Sequence, residues 1–181
     1  MKVYGKNSLA GSTLVEAAIA SAIVALFLSG VYEMNWRGLS VLKTTIESVS
    51  VTRVVQGRME QIRTGNWNQI IDSTYISGVG GTVTGTVLST APCTASNIGS
   101  LSEKIEIAPM VNGVASSGSS VMVVTRDSSG NVTVVSAGQF GTATSVQAHV
   151  VANWTATTAN QVLHSREISG IISKGGITGR N

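Results

Sequence analysis

At 181 residues the chain is long enough for one domain and one further element. It is 43% hydrophobic, 12% charged and 4% aromatic, with 20 glycines and 2 prolines, a composition that favours a small β-rich body over a helical enzyme. The net charge of +3 arises from 12 cations and 9 anions spread along the chain, so no Lys/Arg cluster is set to track a phosphate backbone and nucleic acid is not an expected partner.

The chain opens with MKVYGKNSLAG, residues 1–11, which carries Lys2 and Lys6 and no acid. An apolar run from Leu14 to Val31 follows. As a helix it would measure roughly 27 Å, against about 30 Å for a bilayer's hydrocarbon core. Trp36 and Arg37 then supply an interfacial aromatic and an anchoring cation. The basic start places the N-terminus on the cytoplasmic side by the positive-inside tendency. A secretory signal has the same basic-then-apolar order. Its small-residue cleavage match, Ala20-Ser21-Ala22, falls inside the run and too early, and the small residues near Ser29 and Gly30 are a weak second candidate.

One acid, Glu16, interrupts this run near its start. A carboxylate in the middle of a span costs about 2.5–3.5 kcal/mol, and less toward the bilayer edge. A cut between Gly11 and Ser12 would put the new α-amino group of Ser12 one helical turn before Glu16. The amine and the carboxylate could then pair within one chain or across two. A cross-chain pair in low dielectric would also fix the axial register between subunits.

A basic leader, Gly11, then Ser12-Thr13-Leu14-Val15-Glu16 ahead of an apolar helix resembles the processing site of type IV prepilins and type II secretion pseudopilins. Gly11, Thr13, Leu14, Val15 and Glu16 match that pattern; Ser12 stands where the family usually carries Phe or Met. The resemblance implies cleavage after Gly11 by a prepilin peptidase, N-methylation of Ser12 and assembly through Glu16. It also implies a single pass through the bacterial inner membrane, with the C-terminal body in the periplasm.

No proline occurs before Pro92, so the helix can run well past the span. Leu39, Leu42, Ile46 and Val49 follow helical spacing, and so do Val51, Val55, Met59 and Ile62. The two groups fall on nearly opposite faces. The later stripe is expected to pack on the protein's own sheet and the earlier one to face neighbours; a bend or break near Ser48 to Ser50 is the alternative. In VVQGRMEQIRTGNWNQI, Val54 to Ile70, the residues Glu60, Ile62, Arg63 and Trp67 resemble the helix end of minor pilins and I-type pseudopilins. Gly65 and Asn66 are a candidate stop, either being able to take a left-handed cap. Singly, Arg58, Glu60 and Arg63 read as ordinary solvated helix charges.

From about Tyr75 the period changes. The glycines of GVGGTVTGTVLST, Gly78 to Thr90, lack the Lys-Ser/Thr pair of a phosphate loop and read as loop and bulge residues. TAPCTASNIGS reads as a loop. SEKIEIAPM, SSVMVVTR and NVTVVSAG read as strands, the last two joined by the turn DSSGN. SVQAHVVANWT alternates cleanly, with Val146, Ala148, Val150, Ala152 and Trp154 on one face and Gln147, His149, Asn153 and Thr155 on the other. TATTAN turns, and QVLHSREISGIISKGG returns, which predicts a β-meander. These last strands also resemble the ends of minor pilins and I-type pseudopilins.

No catalytic constellation stands out and no cofactor motif is intact. Cys93 is the only cysteine and cannot close an internal disulfide. With His149 and His164 in separate segments it makes a poor metal-ligand set. Asp72, Glu103, Glu106 and Asp127 do not cluster in sequence, so the calcium site of major pseudopilins is not expected. Asn131 and Asn153 open N-x-Thr sequons that a Ser/Thr-rich chain meets by chance.

The expected architecture is α+β and pilin-like: a long N-terminal helix, membrane-spanning in its first half, packed by its second half on a C-terminal antiparallel sheet. Residues 1–11 form the leader, 12–37 the transmembrane and assembly half, 38–66 the periplasmic half and 67–181 the body. The expected role is a non-enzymatic minor pilin or pseudopilin with no cofactor. Its partners would be the prepilin peptidase, other pilin or pseudopilin subunits and inner-membrane lipid. The alternative is a single-span anchored or secreted β-domain that binds a ligand or surface without polymerising. A third reading, DNA uptake at a basic pilus tip, ranks last.

Overall fold

A computed structural model describes residues 9–78, 98, 100–156 and 162–175. Residues 1–8 of the leader, the glycine-rich stretch after Gly78, Cys93 and most of the TATTAN turn lie outside the described residues. The chain divides into two compact units, Met1–Lys43 and Thr44–Asn181. Their secondary structure is one long N-terminal helix followed by short helices and an antiparallel sheet, an α+β layout.

Helix α1, Leu9–Thr64, is unbroken through Ser48–Ser50, so the alternative of a break there is not realised. From Thr13 to Lys43 the helix buries nothing: Leu14, Ile19, Ile23, Leu26, Phe27 and Val31 are all exposed. In the second unit the later stripe, Val51, Val55, Met59 and Ile62, is buried, while Ile46 and Val49 stay exposed. Burying each such side chain stabilises the fold by roughly 1.5–3 kcal/mol.

α1 stops at Thr64 without a left-handed cap. Asn66 is extended (φ −74°, ψ 164°) and instead N-caps α2, Trp67–Ile70. Its side chain accepts from the Gln69 amide at 3.0 Å, and its own amide donates to Gln69 Oε1 at 2.9 Å. This reciprocal capping box satisfies two donors at once, which a left-handed Asn could not do. A Cβ on Gly65 would come within 2.9 Å of the Tyr75 hydroxyl, so glycine lets that ring close over the chain. Helix α3, Ser73–Ser77, follows with Asp72 as its N-cap. Burial pushes the Tyr75 phenol above its ordinary pKa.

The strands are β1 (Leu101–Val111), β2 (Val114–Ala115), β3 (Met122–Arg126), β4 (Val132–Ala137), β5 (Ser145–Thr155) and β6 (Leu163–Ser173). They form one antiparallel sheet in the order β4-β3-β1-β5-β6, with β2 on β1. The expected meander fails at one point: the chain crosses from β4 to pair β5 with β1. β5 buries every second residue from Val146 to Trp154 and needs strands on both sides, whereas β4 is mostly exposed and suits an edge. β1 and β2 are joined by Asn112-Gly113, both at positive φ (53° and 79°), the turn chemistry of a tight hairpin. Pro109, which has no amide hydrogen to give, sits beyond Ile107, where the pairing with β3 ends.

The core joins Val51, Val55, Met59 and Ile62 of α1 to Ile105, Ile107, Met122, Val124 and the buried face of β5. Ile70, Tyr75 and Ile76 close it, and Trp67, Ile168 and Ile172 pack at its margin.

Candidate functional site

The first candidate site lies in the N-terminal unit. Gly11 and Ser12 are in the opening turn of α1, and Glu16 follows Ser12 by four residues on the same helix. That spacing puts positions 12 and 16 on one face, one turn apart. Glu16 is exposed and is surrounded in sequence by exposed apolar residues. Among the described residues Glu16 makes no ion pair. α1 is long and apolar enough to cross a membrane, and none of its most apolar window is buried. Trp36 is exposed. Arg37 is exposed too, but its guanidinium pairs with Glu33 one turn earlier at 2.5 Å. The cation at the end of the run therefore comes with its own counter-charge, which leaves Lys2 and Lys6 as the clearer charge signal.

In the second unit a charged cluster lies inside the core. Glu103 of β1, Arg126 of β3 and Arg58 of α1 are 3%, 2% and 5% exposed. Arg58 Nε donates to Glu103 Oε1 at 2.8 Å, and Arg126 Nη1 donates to Glu103 Oε2 at 3.2 Å. Arg58 Nη1 also donates to Gln61 Oε1 at 2.9 Å, and Arg126 Nη2 to the carbonyl of Ile76. One carboxylate thus joins α1, β1, β3 and, through Ile76, α3. Arg58 is not the solvated helix charge its sequence context suggested. Guanidinium groups tolerate burial because a planar fork can meet several acceptors at once.

The other members of the helix-end pattern separate. Ile62 is buried, Glu60 is exposed and Trp67 packs at the edge of the core. Arg63 reaches Glu60 only at 4.0 Å, and its Nη2 sits over Gly170, 2.8 Å from where a Cβ would be. Arg166 of β6 donates to Ser48 Oγ on α1 at 2.8 Å through Nη2. Two arginines, one from each element, thus bracket the contact between β6 and the later part of α1.

On the outer face of the sheet, Glu106, Ala108, Ala115–Gly118, Val121, Val123, Gln147, His149 and Ser169 line a concavity of about 400 Å³. Lys104 Nζ meets Glu106 Oε1 at 2.7 Å. That hydrogen bond, then the one from His149, holds the Glu106 carboxyl below the ordinary carboxylate range. His164 is separate from this patch and stacks on Trp154, with centroids 5.3 Å apart. Among the described residues no group of three His, Cys, Asp or Glu side chains is placed to hold a metal ion.

Comparison with family models, curated proteins and solved structures found no match to this chain.

Sequence reasoning set Glu103 aside as an unclustered acid. Its place was readable from the alternation of Glu103, Ile105 and Ile107, which puts the acid on the buried face of β1. Arg126 shares a face with Met122 and Val124 by the same rule.

Proposed function

We propose that the chain is a non-enzymatic structural subunit of a type IV pilus or type II secretion pseudopilus, in the class of minor pilins and I-type pseudopilins. A prepilin peptidase cuts it after Gly11, and Ser12 becomes the N-methylated terminus. Residues 12–37 hold it in the inner membrane, and the body of residues 67–181 stands in the periplasm. The observation that carries this reading is the pairing of the Gly11–Glu16 motif with an exposed apolar run on α1 in which Glu16 makes no ion pair among the described residues. An acid kept on such a surface is costly unless a cation meets it in the assembled state. The amine of Ser12, freed on another subunit, is that cation.

Intact-mass measurement of the protein from its native host tests the cut. With an active prepilin peptidase the mature chain should begin at Ser12 and carry one added methyl group. Retention of residues 1–11 overturns the proposal.

A second reading, a single-span anchored β-domain without a polymer, is favoured by the polar concavity on the outer sheet face. A simple anchor gains from losing a charge in its span, so Glu16→Ala would then insert as well as wild type and keep its function. A pilin-like subunit with that change inserts and is cut but does not assemble.

A further inference from the structure

His149 sits on the solvent side of β5 between two carboxylates from the two neighbouring strands. Its Nδ1 is 3.2 Å from Glu106 Oε2 on β1, and its Nε2 is 3.3 Å from Glu167 Oε2 on β6. The register explains the arrangement. Glu106 is directly opposite His149, while His149 faces Ser169 on β6, which leaves Glu167 on the diagonal two residues away. The charged groups that face the ring from the flanking strands are Lys104 and Glu106 on β1 and Glu167 on β6. Lys104 is already engaged with the far oxygen of Glu106.

An ionised carboxylate only accepts hydrogen bonds, and a neutral imidazole has one N–H and one lone pair. A neutral His149 can therefore donate to one carboxylate and must turn a lone pair toward the other. An imidazolium donates to both. We infer that His149, Glu106 and Glu167 form a proton-dependent clamp that fastens the edge strand β6 to the centre of the sheet. With the ring protonated, β1, β5 and β6 are tied by side chains as well as by the backbone ladder. As pH rises and the ring loses its proton, one of the two bonds is lost. The Glu167 bond yields first, because Glu167 is 71% exposed and Glu106 only 28%. At the acid end Glu106 stays ionised, since its carboxyl is held low by Lys104 and His149. The clamp is therefore closed on the acidic side of imidazole deprotonation and open above it. Its opening loosens the strand whose other face carries Arg166 and Gly170 against α1.

Hydrogen exchange of the β6 amides in the full chain, held in detergent micelles, tests the clamp. Rates are corrected for intrinsic chemistry and compared at about pH 5.5 and about pH 8, two values that bracket the model-peptide histidine reference. Half-exposed charge pairs have modest effects, so β6 opening should rise roughly two- to five-fold at the higher pH. Nitrogen NMR of His149 should show both ring nitrogens protonated in the low-pH state. Glu167→Gln gives a partner that can donate to a bare Nε2, so the pH dependence should vanish while β6 stays protected. His149→Gln should remove it as well. Equal wild-type protection at the two pH values overturns the proposal, as does a pH dependence that survives in both variants.

Discussion

Two carboxylates in apolar surroundings are treated in opposite ways by this chain. Glu103 is buried with Arg58 and Arg126 on its two oxygens, all within one chain. Glu16 lies on an exposed apolar helix with no ion pair among the described residues. A buried acid has to be matched where it stands, or the fold loses several kcal/mol. An acid on an unburied face can be matched by something that arrives later. The difference leaves the acid of the C-terminal unit matched inside the fold, while the acid of the N-terminal unit is one that, on the proposed function, a second subunit would match.

The sharpest break of this comparison is Glu16→Ala. On the proposed function, membrane insertion and cleavage after Gly11 should persist, while incorporation into filaments should fall to background, read by immunoblot of sheared filaments against membrane fractions. The matching change in the body is Glu103→Leu. It removes the carboxylate that Arg58 and Arg126 share in the core and should destabilise the body by about 3–5 kcal/mol, measured by denaturant unfolding in detergent. Replacing Arg58, Glu103 and Arg126 together with apolar residues should recover much of that loss, because the penalty arises from unmatched charge. If Glu16→Ala unfolds the body, or Glu103→Leu leaves it intact, the contrast between the two acids is wrong.

The two apolar stripes of α1 sharpen the same contrast at smaller cost. Met59→Ala opens a cavity among Val55, Ile62 and the sheet and should cost the body about 2–5 kcal/mol. Leu42→Ala removes an exposed side chain and should leave body unfolding within about 0.5 kcal/mol of wild type.

How far these features were legible depends on how local their causes are. The buried face of β5 could be read residue by residue, because alternation is fixed by strand geometry. The offset stripes on α1 were legible for the same reason at helical period. The partner of β5 was not: which strand pairs with it depends on how both faces and both edges are covered, and that pulled β5 to β1 and left β4 at the edge. Arg58 lies among Val55, Met59 and Ile62 of the buried stripe, which marked it as buried, but its acceptor is 45 residues away and out of reach of local reading. Asn66 was assigned to the wrong cap, although Gln69 three residues later is the signature of a capping box. The hairpin at Asn112-Gly113 was readable from the dipeptide, in a stretch to which the sequence analysis assigned no element. For the N-terminal site the motif carried nearly everything, since a helix with no buried face gives packing little to add.

A third carboxylate, Asp127, completes the series at its weak end. It sits at the start of the β3–β4 turn, where Oδ1 accepts from the amides of Ser129 at 2.9 Å and Asn131 at 2.8 Å, and Oδ2 accepts from Asn131 Nδ2 at 2.8 Å. These bonds, the Asn131 side chain first, hold its carboxyl below the ordinary aspartate range. A depressed folded-state pKa means that the stabilisation is present above the unfolded value and lost as pH falls through the folded one. The amide signals of Ser129 and Asn131 should therefore shift together on acidification, below the range where a free aspartate titrates. Asp127→Asn, which keeps an acceptor but cannot ionise, should abolish that titration. Neither change should move the global unfolding midpoint measurably. The turn is exposed, so solvent can replace each lost bond, whereas Glu103 is 3% exposed and a lost partner there is not replaced. The depth of the surroundings, more than the number of hydrogen bonds, therefore sets what a carboxylate is worth to this fold.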